Sequence, residues 1–115
     1  MTIETELGRI EISPMAVASV ASHVVLESYG VVGMAAKNLK DGLFELLAPG
    51  ASHRGVEVRI QDDQITIELY VILQYGVRIC EVAHNIMSAV KFRVEKTLGL
   101  PVARVNVHVQ GLRIS

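Results

Sequence analysis

The chain has no tryptophan, one cysteine and few aromatic residues of any kind, which make up 4% of its 115 residues. A lone Cys80 closes no internal disulfide, and the first residues, MTIETELGRI, have neither a basic start nor an apolar signal segment. The expected compartment is therefore the cytoplasm. Charge of one sign is also missing. Eleven basic residues against twelve acidic leave a net charge of −1, which gives no global attraction for nucleic acid or anionic lipid. Long hydrophobic runs are missing too. Stretches such as Ala16 to Ala21 and Val71 to Leu73 fall far short of the roughly 20 apolar residues that span a bilayer, so no direct membrane insertion is expected. What the chain does have is aliphatic side chains. Apolar residues make up 50% of it, so its core must be built from Val, Ile, Leu and Ala. The length fits one domain, residues 1–115, with a modest core.

The stretch from Tyr75 to Leu112 organises the rest. Ile79, Ala83, Ile86, Val90, Val94 and Leu98 recur at spacings of three and four, the stripe of an amphipathic helix over Val77–Leu98. Gly99 suits the position just past the last turn, and Pro101 prevents the helix from resuming. Val105, Val107 and Val109 then alternate with Asn106 and His108 in a half-buried strand over Val102–Gln110. Upstream, Ile10 and Ile12 sketch a first strand beginning near Leu7. Ser13-Pro14 starts a helix, since the Ser oxygen can accept a free amide hydrogen bond and Pro at the first position loses no intrahelical donor. Its expected stripe is Val17, Val20, Ala21, Val24 and Val25, and Gly30 closes it. Val31 to Met34 reads as a short strand, and Lys37 to Arg54 as a loop with a helical turn or two. Val56, Val58 and Ile60, then Ile65, Ile67, Leu69 and Val71, alternate with polar residues on either side of Asp62-Asp63, the pattern of a hairpin.

The order is roughly β-α-β-β-α-β, an α+β chain. With one apolar side on each helix and one apolar face on the strands, the economical arrangement is a two-layer sandwich, two helices on one face of a small three- to four-stranded sheet. Strand order is left open. The other face carries the candidate interaction surface, Arg59, Glu68, Tyr70, Arg104 and His108, with Arg59 and Glu68 close enough to pair across the hairpin.

Motifs that could carry chemistry are weak. Cys80 and His84 lie four apart on the long helix, but two ligands are half a zinc site. Cys80 has no orienting carboxylate or oxyanion donors to make it a nucleophile. Gly30-Val31-Val32-Gly33 matches the GXXG loop of RNA-binding KH domains only in spacing, since its middle residues are apolar and no basic residues flank it. No catalytic, cofactor-binding or metal-ligating set is expected, and the chain reads as non-enzymatic.

The run YGVRICEVAHNIMSAVKFRVEKTLGLPVARVNVHVQGL, preceded by RGVEVRIQDDQITIELYVILQYG and YGVVGMAAKNLKDGL, resembles the alkaline-shock-protein family of envelope stress response proteins, in its short YloU-like branch. Tyr75-Gly76, Glu81-Val82-Ala83, Gly99-Leu100 and Val105-Asn106-Val107 through Gln110-Gly111 carry the resemblance, which covers nearly the whole chain. It implies a bacterial, mostly Gram-positive, cytosolic protein of envelope homeostasis that acts by self-association or by docking on a partner. Some relatives are held at the membrane by a separate anchoring protein, which implies a membrane-proximal place through that partner. The resemblance also implies an alternative, a regulatory binding partner of a lipid-metabolic enzyme of the dihydroxyacetone-kinase-like, fatty-acid kinase type. RNA binding through the sheet is a distant third reading. The family has no established catalytic residues to carry over, and this chain lacks the long charged tails of its larger members.

Overall fold

A computed structural model describes residues 1–35 and 55–114 of the chain. The expected Lys37–Arg54 loop lies outside them. The described elements are β1 (Thr2–Thr5), β2 (Gly8–Glu11), α1 (Pro14–Glu27), β3 (Val31–Met34), β4 (Val56–Gln61), β5 (Gln64–Gln74), α2 (Ile79–Leu98) and β6 (Val102–Arg113). Among the described residues this is an α+β fold with two helices, a two-stranded sheet and a four-stranded sheet. From α1 onward the element order follows the hydrophobic pattern.

The start differs from expectation. Instead of one strand near Leu7 there is a hairpin, β1 with β2, forming a sheet of its own with Ile3 opposite Ile10. The Thr5 hydroxyl makes the turn. It accepts from the amides of Leu7 and Gly8, at 3.2 Å each, and donates to the Gly8 carbonyl at 3.0 Å. Such side-chain to backbone bonds stand in for a Gly-rich turn, which is why the turn carried no obvious signal.

β5 is the axis of the larger sheet. β6 runs parallel along one edge of it, with Leu69 opposite Val107 and Tyr70 opposite His108. The other edge is shared end to end by β4 and β3, both antiparallel to β5. They meet at Tyr70, whose amide donates to the Gly55 carbonyl and whose carbonyl accepts from the Ala35 amide. Gly55 is fixed there by crowding as well as by backbone. Its φ is +82°, and an added Cβ would lie 2.8–2.9 Å from the Ala35 carbonyl, the Met34 Cβ and the Tyr70 carbonyl. Asp62 and Asp63 close the β4–β5 hairpin with φ of 52° and 60°, the two left-handed residues that a tight turn of this twist requires.

The core lies between β5 and the helices. Ile65, Ile67, Leu69, Val71 and Leu73 of β5 are fully buried against Val17, Ala21 and Val25 of α1 and Val82, Ile86, Val90 and Val94 of α2. Burying each such side chain favours folding by about 1.5–3 kcal/mol. The stripes shift slightly from their expected positions. On α1, Ala18 is buried while Val20 is half-buried, and on α2, Val82 rather than Ile79 or Ala83 opens the buried row. Ile79 sits in the first turn of α2, where the helix starts without a side-chain cap, and is left partly in solvent. At the other end Gly99 takes φ +71° as expected, and the Glu95 carboxylate accepts from the Val102 amide at 2.9 Å, tying the helix end to the start of β6. α1 begins as expected, with the Ser13 hydroxyl accepting from Ala16 and Pro14 at the first position, but Ser28 rather than Gly30 ends it.

Candidate interaction surface on the open sheet face

Side chains alternate along a strand, so the apolar odd residues of β5 that face the helices leave Thr66, Glu68 and Tyr70 on the opposite face. The hairpin register places Glu57 directly opposite Glu68 and Arg59 one step along. Parallel pairing on the other side places Arg104 beside Thr66, Asn106 beside Glu68 and His108 beside Tyr70. All five candidate residues thus lie on the open face.

Glu68 is the hub. Arg59 Nη2 donates to its Oε2 at 3.0 Å, Asn106 Nδ2 to the same oxygen at 2.7 Å, and His108 Nε2 lies 2.7 Å from Oε1. An ionised carboxylate only accepts, so that last contact places a proton on Nε2. Tyr70 stacks on the His108 ring, with centroids 4.6 Å apart and planes 12° from parallel. Arg59 also reaches Glu57, at 3.5 Å.

Burial departs most from expectation. No helix was expected to cover this face, yet Glu68 is only 6% exposed and Tyr70 8%. Both sit on the central strand, where neighbours from both sides lean over them, whereas Arg59 and Arg104 on the flanking strands remain exposed. Burial pushes the Glu68 carboxyl up, but the hydrogen bonds from His108 and Asn106 and the charges of Arg59 and His108 outweigh it and hold the group below its ordinary value. Glu68 is therefore a charged, compensated carboxylate.

The five candidates do not form one cluster. Arg59, Glu68, His108 and Tyr70 are linked, while Arg104 makes no side-chain hydrogen bond or ion pair among the described residues. Arg104 instead lines a polar groove of about 350 Å³ with Arg59, Gln61, Thr66, Glu68 and Asn106. Asn106 alternates onto this face in the sequence but was not among the five candidates. Its bond to Glu68 follows from the β5–β6 register alone, and periodicity in either strand carries no sign of that register.

A carboxylate-oriented imidazole is also the geometry of a general base. Here, among the described residues, no hydroxyl or thiol is hydrogen-bonded to the ring, and the donors around Glu68 are engaged in compensating its charge. Cys80 and His84 are both exposed on α2, away from this face, and among the described residues no three His, Cys, Asp or Glu side chains are grouped to hold a metal ion. Among the described residues, no helix is long and apolar enough to cross a membrane.

Comparison with known proteins gives the family. The chain is 48% identical to the uncharacterized protein YloU of Bacillus subtilis, across 100% of this chain and 98% of that protein. It is 41% identical to the uncharacterized protein Spy1614 of Streptococcus pyogenes, over 97% of this chain and 93% of that one. Identity to the uncharacterized protein YqhY of Bacillus subtilis is 29%, over 96% and 81% of the two chains. No solved structure matches significantly. Residues 2–114 match the alkaline shock protein 23 family, described as having cell envelope-related function, and the chain belongs to that family, in its YloU-like branch.

Proposed function

We propose that the protein is a non-enzymatic interaction module of cell-envelope homeostasis and stress response, acting in the cytoplasm by self-association or by docking on a protein partner. In this reading the partner can be one that holds it near the membrane. Membership of a family with cell envelope-related function supports the setting. One observation carries the mode of action, the buried Glu68 that fixes Arg59 and His108 in place at an exposed surface. Side chains held before binding lose less freedom on binding, so a pre-organised polar face binds more tightly than the same residues left loose. The groove on that face is lined by Arg59 and Arg104 and by Asp62 and Glu68, and with Arg59 engaged by Glu68, Arg104 is the cation it offers to an acidic group on the partner.

The test is the variant Arg104→Ala. Arg104 is exposed and makes no side-chain hydrogen bond or ion pair among the described residues, so truncating it costs folding little, whereas an Arg anchor in an interface costs about 2 kcal/mol or more when truncated. The variant is expected to melt near the wild-type temperature and to lose capture of the partner.

A further inference from the structure

We propose that the outer edge of β6 pairs with the same edge of a second copy of this chain, antiparallel about a two-fold axis through Val107, so that two sheets become one. This rests on the self-association reading above and names the surface that carries it.

Backbone direction supplies the first argument. The amide of Tyr70 goes to Gly55, its carbonyl takes the Ala35 amide, and the Gln74 amide goes to Gly30, so the even residues of β5 face away from β6. The odd residues therefore make the bonds to β6. Where Ile67 opposes Val105, Leu69 Val107 and Val71 Val109, the three valines must turn their own N–H and C=O groups to the far edge. No hydrogen bond of the described residues takes up those groups. An open row of this kind is a template for another strand.

Chemistry selects the occupant. Natural edges are blocked by Lys, Pro, inward charges, bulges or short length, and the opposite edge of this sheet consists of two short strands broken at Tyr70. From Val105 to Val109 β6 contains no Lys, Asp, Glu or Pro, and its register shifts fall outside that window, at Ala103 and Gln110. The window also complements itself. With Val107 opposite its own copy, Val105 meets Val109, Asn106 meets His108 and Arg104 meets Gln110, so apolar lies against apolar and no like charges face each other. Val107 and the two Val105–Val109 pairs then each exchange two backbone bonds across the axis. Centring on Asn106 instead would set Arg104 against His108. Pairing about Val107 places the Asn106 and His108 rows of both copies side by side, extending the open face across the joint.

The experiment uses the whole chain. Light scattering is expected to give twice the 12.5 kDa chain mass. Across a hydrogen-bonded antiparallel pair the Cα atoms lie about 5.5 Å apart, within disulfide reach. Val107→Cys in a Cys80→Ser background is therefore expected to cross-link under mild oxidation, while Leu7→Cys, at the fully exposed hairpin turn, is not. Val107→Pro removes an outward N–H and is expected to weaken association about tenfold or more with helical circular dichroism retained. If Val107→Pro fails to fold, the cross-link still decides. A dimeric wild type whose Val107→Cys variant does not cross-link overturns the edge pairing while self-association stands. A monomer at about 100 µM overturns both, and a monomer that instead takes up an extended peptide along β6 assigns the edge to a different partner.

Discussion

Glu68 is a carboxylate withdrawn from water and held by three donors from the strands on both sides of it. Leaving such donors without their acceptor is costly, and bonds to a charged group are worth about 1.5–3 kcal/mol each before compensation. Glu68→Gln, which keeps the shape and removes the charge, is expected to destabilise the fold by roughly 1–3 kcal/mol near neutral pH. The sign with pH follows from its lowered pKa. Its contribution is complete above the ordinary carboxyl value and is lost as pH falls through the lower folded value. Urea unfolding of wild type and Glu68→Gln should therefore differ most near neutral pH and converge in acid. A gap that stays the same through the whole acid limb of unfolding would show that the charge is not what holds the cluster. The sequence made part of this site legible. Arg59 and Glu68 were readable as neighbours because the Asp62-Asp63 turn fixes the hairpin register, and they pair at 3.0 Å. His108 and Asn106 reach Glu68 across a parallel pair joined by a helix, a connection that leaves the register free, so their shared bond was not readable. Nor was the burial of Tyr70 and Glu68, which depends on β5 being the central strand.

Among the elements, the helices were the most legible because their apolar spacing is dictated by the face they bury. Ile86 is 1% exposed at the middle of α2. Ile86→Asp places an unpaired carboxylate in the core and is expected to cost several kcal/mol, on the order of the whole stability of a small domain. Loss of the cooperative thermal transition is the expected readout, and a wild-type melting temperature would mean that the buried row has been assigned to the wrong residues. β3 and β4 depend on a single glycine. Ala at position 55 would need a left-handed backbone and would collide with two carbonyl oxygens that cannot move without breaking the bonds at Tyr70. Gly55→Ala is expected to destabilise by about 2 kcal/mol or more in chemical denaturation. The β1–β2 hairpin was the element least visible in the sequence. Its turn is made by a threonine hydroxyl rather than by Asn-Gly or a proline, and Leu7 at that turn is fully exposed, so neither composition nor burial marked it.

At the scale of the whole molecule, the two faces of the larger sheet divide the work. One face is aliphatic and covered by α1 and α2, and it sets stability. The other is polar, ordered from beneath by Glu68 and open at Arg59, Arg104 and His108, and it is the face proposed to bind. The two-layer α+β arrangement was readable from periodicity because one apolar side per element admits few other packings. The function of the open face was not readable in that way, since a solvated surface and an interface can share a composition until their geometry is known. The most direct measurement compares wild type and the Arg104→Ala variant in two assays on the same preparation, thermal melting and affinity capture from the native host. An unchanged melting temperature with partner capture reduced about tenfold or more is the predicted result. Equal capture by both proteins would contradict it and remove this face as the binding surface.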